Sequence, residues 1–298
     1  MNGSACASVF HNRGIDVTML ARGRRYDEIQ NEGIIIENPF RNNKRSITKV
    51  KVINTLNSDD FYDYILVIIR KNQVSELLPI LAQNRSGNIV FMGNNLAGPD
   101  EYVNALGKDR VMMGFVYAGG KREGDVIRAI IIKSIAVPFG EIDGSITPRL
   151  TRLINIMHQG GFKAKVSTCI IDFLMTHGVG VPLFGKLVLK HECDNRALAK
   201  STADLRLLVD AMRESFNVLK ALGYKIVPKS QYLTKILPRF IAVAGIRALF
   251  SSKLGEVGGA YHVSQAPDEM NCLAQELEVL VAKSGLPSPA IKKVLTIN

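Results

Sequence analysis

Paired cysteines, long apolar runs and blocks of like charge are all missing from this chain of 298 residues. Its four cysteines, Cys6, Cys169, Cys193 and Cys272, form no C-x-x-C pair. That excludes the common zinc spacings and a disulfide framework, and favours a reducing cytoplasm. No apolar run follows Met1, so no secretory signal is expected. The longest apolar stretch, 169–189, contains Asp172, His177, Pro182 and Lys186. It reads as a buried helix with a break rather than a membrane span, and no membrane partner is expected. The net charge is +11, but the cations are scattered, with small clusters at Arg22-Gly23-Arg24-Arg25 and over 41–51. Scattered cations make a solvated basic surface in preference to a nucleic-acid footprint, and a dinucleotide phosphate would need only the first cluster. Internal repeats and low-complexity tracts are absent as well.

The first residues also lack half of a motif. Gly3, Ala7, Phe10, Gly14 and Val17 reproduce the second half of a dinucleotide-binding fingerprint. In the full motif a buried strand runs into G-x-G-x-x-G, and the last glycine lets the next helix pack closely on the sheet. Gly3 occupies that last position, Ala7 and Phe10 face the sheet one and two turns on, and Gly14 ends the helix. Ile15-Asp16-Val17-Thr18-Met19-Leu20-Ala21 then reads as a strand that ends at Arg22. The preceding strand and the two glycines that cradle a pyrophosphate are expected upstream of Met1, in roughly ten residues. That strand is central in a Rossmann sheet, so its two neighbours are expected to have unpaired backbone groups here.

What is present is typical of a soluble globular protein of two domains, with 47% hydrophobic and 22% charged residues. Ile34-Ile35-Ile36 and 47–53 are β-rich, with a turn at Asn38-Pro39 between them. Tyr64-Ile65-Leu66-Val67-Ile68-Ile69 is continuously apolar, as a parallel strand buried on both faces should be. Val74, Leu77, Leu78 and Leu81 have helical spacing, and 88–92 is another buried strand. A helix over 101–106, a strand over 111–116 and paired strands over 126–132 and 134–139 follow. From Thr147 the pattern turns helical, with Pro148 at a helix start and Leu150, Leu153, Ile154 and Met157 on its inward face. Further helices are expected over 196–222, 232–250, 268–283 and 288–295. The fold class is therefore α/β, with an N-terminal Rossmann-like doubly wound parallel sheet over 1–145 and a C-terminal all-helical domain over 146–298.

Strand ends mark the candidate ligand-binding residues, because ligands bind at the carboxyl ends of strands in open α/β sheets. The second Rossmann strand of NAD enzymes usually ends in an acid that bonds the ribose 2′-hydroxyl. Arg22 stands there instead, with Arg24 and Arg25 beyond it, and a guanidinium suits the 2′-phosphate of NADP. Solvation of an arginine-rich turn is the alternative. Arg70 and Asn94-Asn95 follow the strands at 64–69 and 88–92, in the same kind of position, or else cap their loops.

Several phrases together resemble the ketopantoate reductase family: Val17-Thr18-Met19-Leu20-Ala21-Arg22-Gly23, Gly119-Gly120-Lys121-Arg122-Glu123-Gly124, residues 139–149, Pro267-Asp268-Glu269-Met270 and Gly285-Leu286-Pro287-Ser288-Pro289. They occur in family order over nearly the whole length. The resemblance implies an NADP-binding Rossmann domain joined to a helical domain, cytoplasmic, reducing the 2-keto acid 2-dehydropantoate for pantothenate biosynthesis. It places Gly3 in the cofactor loop, Arg70 where the family often has a cofactor-side lysine, and Asn94 near the ribose and nicotinamide. The partner it implies is a small 2-keto acid, and it leaves a homodimer open.

The same resemblance puts the family's general acid, a lysine, at Met175, which cannot donate a proton. Asparagines usual one and two helical turns further on are Val179 and Leu183 here. His177 lies two residues along the helix, on another face, and is a replacement acid or a packed histidine. Glu269 stands sixteen residues before Gly285, the spacing of the family's active-site glutamate from its G-x-P-x-P turn. His262, one to two turns before it, carries an imidazole, the side-chain type most often used as a general acid. Lys186 and Lys190 are further donors without specific support. The expected function is NADPH-dependent reduction of a small 2-keto acid, with a non-catalytic nucleotide-binding relative as the alternative.

Overall fold

The computed structural model describes residues 1–132 and 135–297, so the Ser134 end of one expected strand lies outside them. The chain divides into two compact units, Met1–Gly93 with Pro99–Ile170, and Asn94–Gly98 with Ile171–Asn298.

The first unit opens with helix α1 (Asn2–His11), which buries Ala5, Cys6, Ala7 and Phe10. A Cβ on Gly3 would stand 3.4 Å from the Ile68 carbonyl oxygen, an ordinary contact, so the start of α1 lies against the neighbouring backbone without the glycine being required for it. A turn through Gly14, at φ +76°, leads to β1 (Thr18–Leu20). There follow α2 (Arg24–Glu32), β2 (Ile34–Asn38), β3 (Lys44–Thr48), β4 (Lys51–Ile53), β5 (Ile65–Val67), α3 (Val74–Gln83) and β6 (Ile89–Met92). Next come α4 (Asp100–Leu106), β7 (Val111–Gly114), β8 (Ala118–Glu123), β9 (Val126–Ile131), β10 (Val137–Glu141), α5 (Pro148–Gln159) and β11 (Ala164–Val166).

The β-rich run at 47–53 is two strands rather than one. β3 pairs antiparallel with β2, and β4 pairs parallel with β1. The largest sheet has the order β11-β10-β7-β6-β5, parallel through β5, β6 and β7, and the third sheet has the order β3-β2-β9-β8. The doubly wound arrangement is thus divided between sheets, with β1 and β5 each an outermost strand among the described residues.

The strands read as a pair, β9 and β10, lie in different sheets. β9 forms a hairpin with β8 through Gly124, whose φ of +60° suits a tight turn, while β10 pairs antiparallel with β7. Phe139 faces Gly114 across that pairing, and a Cβ on Gly114 would fall 2.4 Å from the Phe139 ring. The glycine makes room for a fully buried aromatic ring, and this packing holds β10 where it is.

The first unit also extends past residue 145. α5 buries Leu150, Leu153, Ile154 and Met157 in the core that holds Phe10 and Phe139, and β11 adds a parallel strand to β10. Apolar burial rather than the turn at 139–144 sets the division, which falls after Ile170.

The second unit is helical: α6 (Ile170–Gly178), α7 (Gly180–Lys190), α8 (Asn195–Lys200), α9 (Thr202–Ala221), α10 (Leu233–Ile236), α11 (Arg239–Ser251), α12 (Lys253–Gly255), α13 (Tyr261–Gln265), α14 (Pro267–Ser284) and α15 (Pro289–Leu295). The long apolar stretch is α6 and α7, broken at Val179, and it supplies much of this unit's core. Two helices read as continuous are split. Pro238 separates α10 from α11, since proline lacks the N–H an unbroken helix needs. Ser201 leaves the helical region, and its hydroxyl caps α9 by accepting the Asp204 N–H at 3.3 Å.

Asp204 ties three elements together. It accepts from Lys190 Nζ at 2.7 Å, His191 Nε2 at 2.8 Å and Ser201 Oγ at 2.9 Å. Burial works to raise its pKa, but the hydrogen bonds from Lys190, His191 and Ser201 outweigh it and hold the carboxyl below its ordinary value. Its stabilising contribution is therefore present above the usual carboxylate range and lost as pH falls through it. Asp204→Ala should cost about 1–3 kcal/mol, because it removes a buried carboxylate to which three side chains donate. Urea unfolding at pH 7 measures this, and the gap between variant and parent should shrink toward pH 3.

Candidate cofactor and active-site residues

The first unit concentrates positive charge at the start of α1. Burial, then the charges of Arg25, Arg122 and Arg70 in that order, lower the Met1 amino group from 8.0 to about 6. Three guanidinium groups from α2, β8 and the end of β5 therefore act on the helix N-terminus, where backbone N–H groups and the dipole already favour an anion. Arg25 donates to Ser4 Oγ at 3.3 Å and pairs with Glu28 at 3.0 Å. Arg24 and Arg122 meet the same carboxylate at 3.0 and 3.2 Å.

Of the expected phosphate-binding cluster, Arg24 and Arg25 are engaged by Glu28, whereas Arg22 is exposed beyond β1 and makes no ion pair with the described residues. Gly3 lies in the first turn of α1, and Arg70 is half-buried after β5. Arg122 and Glu28 were not legible as site residues. Arg122 comes from a β-hairpin 94 residues away from Glu28, and only the phrase Gly119-Gly120-Lys121-Arg122 pointed to it.

In the second unit, Glu269 sits in the first turn of α14 and is 3% exposed. His262, on α13, places Nε2 3.3 Å from Glu269 Oε2. This contact is an ion pair whenever the imidazole carries its proton. His177, in the last turn of α6, joins them electrostatically: burial, and then the charge of His262, lower it from 6.5 to about 4. Its ring stacks on Phe173 with centroids 6.3 Å apart. His177 is thus a neutral, packed imidazole at neutral pH, while His262 and Glu269 are in direct contact.

Met175 is 1% exposed and packs in the apolar core with Leu96, Val179 and Leu183. Lys190 is bound to Asp204. Asn94 opens the short segment 94–98 that belongs to this unit, and its Oδ1 is buried with no hydrogen-bond partner among the described residues. The segment is held in place by the Leu96 N–H, which donates to Glu276 Oε2 at 2.8 Å, and by Asn95 Nδ2, which donates to the Gly98 carbonyl at 2.6 Å. An orphaned buried acceptor on a fixed loop suits a ligand donor.

Residues 2–132 match the family model described as Ketopantoate reductase PanE/ApbA. The ketopantoate reductase fold extends through the chain. It is similar to a 2-dehydropantoate 2-reductase from Geobacter metallireducens, with a TM-score of 0.79 at 15% identity, covering 98% of this chain and 94% of that one. A D-mandelate dehydrogenase solved with NADH and anilino(oxo)acetate gives a TM-score of 0.81 at 13% identity, covering 99% and 93%. A probable 2-dehydropantoate 2-reductase from Bacillus subtilis gives 0.67 at 16% identity, covering 99% and 94%. No curated protein sequence matches the chain.

The burial of His177 has a measurable consequence. Its folded pKa of about 4 lies below the unfolded 6.5, so the unfolded chain binds the extra proton between these values. Stability from the neutral imidazole is full above pH 6.5 and lost as pH falls toward 4, by up to about 3 kcal/mol. Denaturant unfolding from pH 7.5 to 4.5 should show this decline, and His177→Gln should flatten it.

Proposed function

We propose that the chain is an NADP-dependent oxidoreductase that reduces a small 2-keto acid, 2-dehydropantoate or an analogue, to the 2-hydroxy acid. His262 is its proton donor and Glu269 the partner of that histidine. With 2-dehydropantoate as substrate, the reaction belongs to pantothenate biosynthesis in the cytoplasm. The observation that carries this reading is the 3.3 Å contact between His262 and the buried Glu269. It brings together an imidazole and a carboxylate in a chain whose family lysine position holds Met175.

The dinucleotide fits the first unit on two counts, the cationic start of α1 and the exposed Arg22, which makes no ion pair with the described residues. Arg22 would hold the 2′-phosphate, and Arg25, Arg70 and Arg122 would face the pyrophosphate. In the helical unit, the orphaned Asn94 oxygen is an acceptor of the kind a ribose or carboxamide donor needs. Bound reduced nicotinamide supplies the hydride that adds to the keto carbon. His262 holds the proton that the new alkoxide takes, and Glu269 orients the imidazole and balances its positive charge. Arginine selectivity is tested directly. Arg22→Ala should weaken NADPH binding by about 1–3 kcal/mol, the range for a hydrogen bond to a charged group, with NADH affinity nearly unchanged. Equal losses for both cofactors would make Arg22 structural.

Met175 favours a second reading, a nucleotide-binding relative without turnover. NADPH oxidation with 2-dehydropantoate and other 2-keto acids, beside NADPH binding alone, separates the two. Turnover that falls by about 10²–10⁴-fold in His262→Ala, with NADPH affinity kept, supports the reductase. Binding without turnover, rescued by Met175→Lys in a folded variant, supports the second reading.

A further inference from the structure

The β3-β2-β9-β8 sheet is open along the outer edge of β3. This strand pairs with β2 in an unbroken register over Lys44–Thr48, without bulge or proline, and with no other strand among the described residues. Its Lys44, Arg45, Ser46 and Ile47 are all exposed. Asn42 and Asn43, at φ +48° and +53°, close the β2–β3 hairpin in the left-handed region that asparagine tolerates. An unbroken edge of this kind presents its free N–H and C=O groups to an incoming strand.

A ladder of charge crosses the sheet and stops at this edge. Lys121 and Glu123 of β8 pair at 2.6 Å, and Glu123 meets Arg128 of β9 at 3.0 Å. Arg128 meets Glu37 of β2 at 3.1 Å, and Glu37 meets Arg45 of β3 at 2.8 Å. The sign alternates at every step, so the next member of the series, beyond Arg45, is a carboxylate. Arg45 keeps a donor for it: its Nε and Nη2 both go to Glu37 Oε1, and its side chain is 55% exposed. Ile47, two residues on and therefore on the same face, is 60% exposed. Lys44 lies on the other face and makes no ion pair with the described residues. Arg41 before the strand and Lys49 after it are exposed cations too.

We propose that β3 takes an extended acidic segment of a partner protein as an added antiparallel strand. One carboxylate of the segment lies opposite Arg45, a second opposite Lys44, and an apolar side chain opposite Ile47. In the antiparallel sense, the more stable pairing per residue, the segment reads apolar, polar, acidic, acidic. Main-chain hydrogen bonds along the edge supply affinity, and the three side-chain pairs set register and choice of partner.

Other occupants match the edge less well. A second copy of the chain would bring its own Lys44 and Arg45, placing four cations together with no carboxylate between them. A phosphodiester backbone would satisfy the cations, but it has no N–H groups for the edge carbonyls and leaves Ile47 uncovered.

Fluorescence anisotropy of the full chain with a labelled, amidated peptide Thr-Val-Thr-Glu-Glu-Thr tests this. The parent should bind with a Kd below about 100 μM. Arg45→Glu and Ile47→Lys should each weaken binding about 10-fold or more, and a peptide with lysine for both glutamates should not bind. Glu37 keeps Arg128 in the first variant and Ile47 is exposed in the parent, so the second variant stands should the first misfold. Two further peptides, N-methylated at alternate nitrogens in the two possible sets, separate strand addition from mere charge attraction. One set should abolish binding and the other leave it, because only alternate N–H groups of an added strand face β3. No binding by the parent, binding that both variants leave intact, or equal effects of the two methylated sets overturns the proposal. An oligothymidylate of about 15 nucleotides that binds more tightly than the peptide, and is lost in Arg45→Glu, would give the edge to nucleic acid instead.

Discussion

Three arginines converge on one carboxylate, Glu28, which is only 11% exposed, and the basic end of α1 depends on that meeting. Cations this close repel one another and would splay α2 from the β8–β9 hairpin. Glu28 offsets that repulsion while leaving the cluster net positive, because one negative charge is shared among three guanidinium groups. It also sorts the arginines. Those it engages are drawn to it, whereas Arg22, two residues before α2, makes no ion pair with the described residues. The charge near the helix N-terminus is therefore pre-organised, and a bound phosphate would not have to order it.

A different constraint governs the helical unit. Met175 lies inside an apolar core with Val179 and Leu183, so three successive turns of α6 and α7 offer packing where the family resemblance led one to expect polar chemistry. Such a substitution changes more than one proton donor. A lysine there would have to keep its ammonium solvated, whereas the methionine lets the surrounding side chains close on it. The contact between His262 and Glu269 instead follows a π-helical turn, Glu256–Ala260. π turns of this kind recur at functional sites, because the extra residue rotates the side chains that follow it.

Much of this was legible in the sequence because local signals and burial agree. The buried parallel strands at β5 and β6, the proline-initiated α5 and the final helix pair follow directly from apolar periodicity and helix-end chemistry. His262 and Glu269, close in sequence, are in contact although the chain leaves the helical region at Ala266 between them. Misread features were those decided by long-range packing. β9 and β10 look like consecutive partners, yet a hairpin turn at Gly124 sends one to β8, and the Gly114–Phe139 fit sends the other to β7. The unit boundary was placed at a turn-rich segment, whereas α5 and β11 remain with the sheet through buried side chains that no turn signal reveals. Arg122 escaped notice for the same reason: its importance comes from a neighbour far away in sequence.

The parallel pairing of β2 with β9 sets Ile36 opposite Ile127. During synthesis, β2 emerges from the ribosome long before its parallel partner exists, and β3 can cover only one of its edges in the meantime. Ile34 and Ile35, buried in the finished molecule, would then wait in an open two-stranded ribbon. Such a ribbon is a template for any other nascent strand, and closing the intervening loop is slow because its entropy must be lost first. The polar, strongly basic outer strand, with Lys44 and Arg45 exposed on β3, guards the one edge that β9 never covers. The vulnerable interval in the life of this chain is therefore its translation past residue 131, when a nascent-chain chaperone would have most to shield.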